Sequence, residues 1–154
     1  DIQNKFNIVT KHYKNFLLYS SNFSLGMNYF FKMNIYFFKI INKSFMYNQY
    51  IYELHHSDKK DFPSGTGIKI SQMLLNQIYK KYIIFSKNID KTNSRDILLV
   101  SNQQNTTINI HSIVFDNYFN SIQVLYSNKN NILYISGILH CIKWIKKKRG
   151  HFII

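Results

Sequence analysis

Two adjacent imidazoles, His55 and His56, are followed by the ammonium of Lys59 and then by Asp61-Phe62-Pro63-Ser64-Gly65-Thr66-Gly67, in a stretch that opens at Glu53-Leu54. Imidazole is the side chain that gains and loses its proton near neutral pH, and a lysine beside it can hold an anion or deliver a proton. The glycines let a ligand approach the backbone closely. A helix starting at Ser64 or Thr66 would turn free N–H groups and the positive end of its dipole toward an anion. These parts suit the holding of a carboxylate or phosphate next to a group that moves a proton. On spacing alone the same residues also read as a solvated strand end followed by a capping turn.

Met46 to Leu54 alternates as a strand, with Tyr47, Gln49, Ile51 and Glu53 on one face. Successive side chains of a strand point to opposite faces, so His55 and His56 diverge at its end: one faces a reacting atom while the other binds or orients. Pro63 fixes its own φ and disfavours helix at Phe62, which leaves Lys59 in irregular chain able to reach back over the strand end. Beyond it, Ile68, Ile70, Met73, Leu74, Leu75, Ile78, Tyr79 and Tyr82 have the spacing of a helix of about three to four turns with a Ser or Thr N-cap.

Elsewhere, Phe16-Leu17-Leu18-Tyr19 suits a short buried strand leading to a corner at Asn22-Phe23, and Leu25 to Ile41 suits a buried helix that Ser24 can cap. Asn28, Lys32, Asn34 and Lys39 interrupt that run, and a membrane span needs about 20 mostly apolar residues. Ser86 to Asp96 is polar and loop-like. Strands are expected near Ile97–Val100, Thr106–Phe115 and Ser121–Tyr126, with turn chemistry at Asp116-Asn117 and Asn128-Lys129-Asn130-Asn131. Ile138 to Lys148 closes the chain as a helix carrying Trp144. Strands in succession flanked by helices describe an α+β domain with a mixed β-sheet of about four strands and helices on one face.

The 154 residues have room for one domain with a real core, and 45% hydrophobic with 17% aromatic residues excludes a disordered chain. A net charge of +13 and a pI near 9.8 would suit nucleic acid or an anionic surface. The excess is spread thinly, and the dominant Lys, Asn, Ile, Tyr and Phe are all written by A/T-rich codons. Only Lys146-Lys147-Lys148-Arg149 forms a run, which suits a solvated helix C-terminus. The lone Cys141 excludes an internal disulfide and fits a reduced, cytoplasmic setting. His12, His111, His140 and His151 lack ligand spacing, so no metal is expected. The chain opens at Asp1 rather than Met, which points to an upstream part or a processed start.

The run Glu53-Leu54-His55-His56, Lys59 and Asp61-Phe62-Pro63-Ser64-Gly65-Thr66 closely resembles the E-x-H-H-x-x-K-x-D-A-P-S-G-T signature of the dihydrodipicolinate (4-hydroxy-tetrahydrodipicolinate) reductase family. Ser20-Ser21-Asn22-Phe23-Ser24-Leu25-Gly26-Met27-Asn28 is similar to that family's A-x-N-F-S-x-G-V-N, and Gly137 to Trp144 with Gly150-His151-Phe152 is similar to its closing G-A-x-x-A-A-x-W and G-L-Y-x-M. The resemblance implies the C-terminal domain of a two-domain reductase of lysine and diaminopimelate biosynthesis. Residues 1–22 would be the tail end of the nucleotide-binding domain and hinge, and 23–154 the substrate-binding and oligomerisation domain. It implies His55 as general acid/base, Lys59 as proton donor, and Gly65, Thr66 and His56 as ligands of a cyclic dicarboxylate substrate. Ser20, Ser21, Asn22 and Phe23 would form the corner touching the nicotinamide of NADH or NADPH. A homotetramer is implied as well.

The sequence departs from the family pattern at Ser57-Asp58, at Phe62, at Val114 where an arginine is usual, at Asn120-Ser121-Ile122, and in the short span between Tyr126 and Gly137. No glycine-rich dinucleotide loop occurs among its five glycines, so a Rossmann domain would have to come in cis or on a partner chain. An oxidoreductase domain without nucleic-acid or membrane partners is therefore expected. The alternative is a small basic ribosomal or RNA-associated protein, whose binding would weaken steeply with salt.

Overall fold

The computed structural model describes residues 2–13, 15–41, 47–77, 82–86, 96–105 and 108–153. In chain order they form α1 (Ile2–His12), β1 (Phe16–Tyr19), α2 (Leu25–Ile41), β2 (Asn48–His56), α3 (Gly65–Leu75), β3 (Tyr82–Ser86), β4 (Asp96–Gln104), β5 (Asn109–Asp116), β6 (Ser121–Asn128), α4 (Ile132–Ile145) and β7 (Gly150–Ile153). The chain divides into two compact units: Gly26–Asn131, and Asp1–Leu25 with Ile132–Ile154.

The first unit is built on a five-stranded mixed sheet of order β3-β4-β2-β5-β6, parallel across β3, β4 and β2 and antiparallel from β2 to β6. Register decides which residues share its core face. Leu99, Ile51, Ile113 and Val124 lie side by side in one row, and Ile97, Phe115 and Ile122 share the same face. Helix α2 adds Met27, Phe30, Phe31, Phe38 and Ile41, which recur at helical spacing, and α3 adds Ile70 and Leu74. Each fully buried large apolar side chain here contributes about 1.5–3 kcal/mol. The outer side of α2 leaves Tyr29, Met33, Tyr36 and Ile40 exposed, so its nearly continuous apolar run buries only one stripe.

The sheet has one strand more than the expected four. Tyr82–Ser86 forms β3, whereas the apolar spacing predicts helix as far as Tyr82; α3 stops at Leu75, where Asn76 N–H closes onto the Gln72 carbonyl and Gln77 N–H onto that of Leu74. Ile78 and Tyr79 lie outside the described residues, as do Met46, Thr106 and most of the loop expected after Ser86. The turn chemistry at Asn117 holds: its side-chain oxygen accepts from the N–H groups of Phe119 and Asn120, closing the β5–β6 hairpin.

In the second unit β1 and β7 pair in parallel, Phe16 against Gly150 and Tyr19 against Ile153. Gly150 takes φ 115°, a conformation side chains resist, and donates its N–H to Asn15. The expected strand at Phe16–Tyr19 forms, but Phe16 and Tyr19 are exposed rather than buried. Helix α4 begins at Ile132, earlier than the expected Ile138, and ends at Ile145. Close packing explains the glycine within α4: a Cβ at Gly137 would collide with the Phe23 carbonyl.

Candidate functional site

The core face of the large sheet changes character toward the carboxyl end of β2. Past the apolar row through Ile51, the next row sets Ser101, Glu53 and His111 side by side, and the one after it sets Gln103, His55 and Asn109 together. Alternation along β2 thus places Glu53 and His55 on the buried face while His56 turns outward and is exposed. The expected divergence of the two histidines is what the strand produces.

Glu53 is wholly buried and is the hub of this end. Its Oε1 accepts from Ser64 N–H at 2.7 Å and Ser101 Oγ at 2.5 Å, and its Oε2 accepts from Ser64 Oγ at 2.5 Å. Burial alone would raise its pKa, but the His55 imidazole beside it and the hydrogen bonds from Ser101 and Ser64 outweigh it and hold the carboxyl down to about 2. Ser64 does two jobs at once. It donates to Glu53 and caps α3 by accepting from Gly67 N–H at 2.9 Å. Gly67 must be glycine, because a Cβ there would strike the Glu53 carboxylate.

Two imidazoles face this carboxylate. His55 Nε2 lies 3.3 Å and His111 Nδ1 3.5 Å from Oε2, and neither nitrogen has an aligned hydrogen-bond partner among the described residues. The rings meet edge to face with centroids 5.2 Å apart. On its other side His55 Nδ1 is 3.0 Å from Asn109 Oδ1. Burial pushes His111 down to about 4; the Glu53 charge opposes this, and His55 and Lys59 add to it.

The outer side of the α3 start is open. A side chain at Gly65 would meet nothing, while Thr66 is buried. Lys59 is held over the strand end by Gln103, whose amide donates to the Lys59 carbonyl at 2.5 Å, and its ammonium donates to Asp61 Oδ1 at 2.7 Å. Lys59 chiefly, with backbone hydrogen bonding at Asp61 and Gly65, outweighs desolvation and holds the Asp61 carboxyl below the usual carboxylate range. Lysine and helix start therefore converge on a carboxylate already within this chain.

Of the expected site residues, His55, His56, Lys59, Gly65 and Thr66 gather at this end of one sheet. Ser20, Ser21, Asn22 and Phe23 belong to the other unit. There Asn22 Oδ1 accepts from Ser24 N–H at 2.9 Å, Ser20 Oγ and the Asn22 backbone bond reciprocally, and Asn22 Nδ2 lies 3.4 Å from Tyr134 Oη. Ser21 Oγ is buried with no partner among the described residues.

Spacing along the chain does not single out Ser101, Asn109 or His111 for the site. His111 is visible in the sequence only as an isolated histidine, because strand pairing brings it to Glu53. The facing nitrogen and oxygen atoms of Glu53, His55 and His111 all lie within 4.8 Å of one another.

These features define an α+β domain whose sheet ends in a buried carboxylate–imidazole cluster beside a carboxylate-accepting helix start. Residues 26–154 match the family described as "Dihydrodipicolinate reductase, C-terminus", and the chain belongs to that family. A 4-hydroxy-tetrahydrodipicolinate reductase from Buchnera aphidicola subsp. Cinara cedri is 29% identical over 139 residues, covering 87% of this chain and 50% of the relative. The one from Aquifex aeolicus is 28% identical over 137 residues, covering 88% and 51%. The chain thus spans about half the length of the curated relatives it matches. A solved structure, dipicolinate-bound dihydrodipicolinate reductase from Paenisporosarcina sp. TG-14, shares the fold with TM-score 0.61 at 19% identity, covering 97% of this chain and 57% of that one.

Proposed function

We propose that this chain is the C-terminal part of an NAD(P)H-dependent 4-hydroxy-tetrahydrodipicolinate reductase of lysine and diaminopimelate biosynthesis, working in the cytoplasm with a Rossmann domain supplied in cis or by a partner chain. The observation that carries the reading is the convergence of Lys59 and the Gly65 backbone on the Asp61 carboxylate, which supports an anion site at this corner. A cyclic dicarboxylate would present a carboxylate to Gly65 and Thr66, with exposed His56 as a further ligand. Family membership favours this reading over an RNA-associated protein.

The dinucleotide, when bound, supplies the hydride. Ser21 Oγ, buried without a partner among the described residues, leaves the 20–23 corner with a polar atom suited to the nicotinamide end, so Ser20, Ser21, Asn22 and Phe23 fit that role. The residues of this chain orient the substrate and manage the proton, which Lys59 donates while His55 serves as general acid/base. In the small unit, parallel pairing of only two strands is marginal alone, and α4 exposes Ile132, Ile135, Leu139 and Trp144 among others. These surfaces suit contact with the nucleotide-binding domain, of which residues 1–22 would be the tail end and hinge, with 23–154 the substrate-binding and oligomerisation domain.

Leu125 is exposed on the sheet face opposite the core, and through this face the sheet would join further copies in a homotetramer. In an enzyme reconstituted with a Rossmann domain, His55→Ala or Lys59→Ala is expected to lower turnover by on the order of 10²-fold with nucleotide affinity little changed. Full turnover in the double variant would end the assignment.

A further inference from the structure

Glu53 Oε2 is an ionised oxygen, closed off from water, that faces two imidazole nitrogens at 3.3 and 3.5 Å. A carboxylate accepts and cannot donate, so bare lone pairs at both nitrogens would leave repulsion uncompensated in a low-dielectric place. A proton on one of them resolves it. His55 Nε2 is the nearer, and the two nitrogens of His55 face groups of different kinds. The carboxylate oxygen facing Nε2 can only accept. The partner of Nδ1 is the amide of Asn109, which presents an oxygen to a protonated nitrogen and, turned by half a rotation, an NH2 to a bare one. Nδ1 can therefore lose and regain a proton with its neighbour satisfied in both states, and Nε2 cannot.

We infer that Glu53 is a positioning residue that keeps a proton on His55 Nε2, so that Nδ1, capped by the Asn109 amide, is the atom through which His55 exchanges protons. Asn109 is then a second positioning residue, set opposite His55 by the antiparallel register that pairs Leu54 with Ile110. The carboxylate that orients His55 is the same one that fixes Ser64 at the head of α3, so one buried group sets both the acid/base and the anion-binding helix start. This inference rests on the acid/base reading of His55 for its catalytic meaning, while its structural content is independent of that reading.

The test is two-bond 1H–15N correlation of the imidazoles in the 154-residue chain, followed to the alkaline end of the titration. His55 is expected to retain its proton on Nε2, with Nδ1 bare. In Glu53→Gln the proton is expected to shift to Nδ1, and in Asn109→Ala to remain on Nε2. A wild-type His55 that carries its proton on Nδ1 at the alkaline end overturns the inference, and this measurement needs no variant to fold. An Nε2 proton together with full turnover of a reconstituted His55→Ala enzyme would keep the Glu53 assignment and remove the acid/base one. The reverse pair of results would do the opposite.

Discussion

Gly65 and Gly67 stand two residues apart in the first turn of α3, and both are glycine in a helix where alanine would ordinarily serve better. A side chain at Gly67 would strike the Glu53 carboxylate, while one at Gly65 would meet nothing. The inner side of the helix start is thus already filled by an anion of the protein's own. On the outer side a Cβ at Gly65 would stand in open space among the described residues, and the Gly65 backbone and Lys59 hold Asp61. Glycine serves close packing in one place and access in the other, so the same residue type carries a structural requirement and a binding one within a single turn.

The sharpest way to break that contrast is a pair of alanine substitutions. Gly67→Ala is expected to destabilise the chain by about 3 kcal/mol, because the contact is with a hydrogen-bonded carboxylate that has nowhere to move. Gly65→Ala is expected to be neutral or stabilising by up to about 1 kcal/mol through the unfolded chain. Urea denaturation measures both, and equal losses at the two positions would show that the inner packing has been misread.

A comparable effect is expected from pH on the inner side. The folded pKa of Glu53 is held from 4.5 to about 2, so its contribution is present above about pH 4.5 and is lost as pH falls toward 2. His111 is held from 6.5 to about 4, so the unfolded chain takes up that proton more readily and stability is lost as pH falls from 6.5 through 4. Both act in the same direction, each worth roughly 3 kcal/mol taken separately. His111→Asn is expected to flatten the upper part of the limb and leave the lower part, as read from denaturation midpoints across pH. An unchanged upper limb would remove His111 from the account.

The smallest effect sharpens the outer side. Gly65→Val is expected to weaken dipicolinate binding by about tenfold, or about 1.4 kcal/mol, with little change in stability. Isothermal titration of the parent and variant chains decides it, and equal affinities would place the dicarboxylate elsewhere.

Much of this end of the molecule is legible in the amino-acid sequence. Strand alternation separates His55 from His56, and the serine ahead of two glycines marks a capped helix start. The helix at Leu25–Ile41 also has the expected bounds. What stays hidden comes from pairing across the sheet. Ser101 and His111 reach Glu53 because β4 and β5 flank β2 in a particular register, and no local spacing encodes that. Strand β3 is not legible because a four-residue apolar run, Tyr82 to Phe85, following a helix has no period of its own to distinguish it. Helix α1, Ile-Gln-Asn-Lys-Phe-Asn-Ile-Val-Thr-Lys-His, leaves no clear signal either, since its few apolar residues are mostly exposed and no acidic residue marks its first turn.

The parallel pairing of β1 with β7 carries a consequence for the order of assembly. Roughly 130 residues of chain separate the two strands, and the loop between them must close before a single ladder bond forms. The cost grows only with the logarithm of the length, but it precedes any gain, which places such distant pairings late. The unit Gly26–Asn131 lies wholly within that loop and can complete its own core from nearer contacts. The small sheet is therefore a clasp that closes after the inserted unit has folded, and its four-residue strands make it the first part to open again.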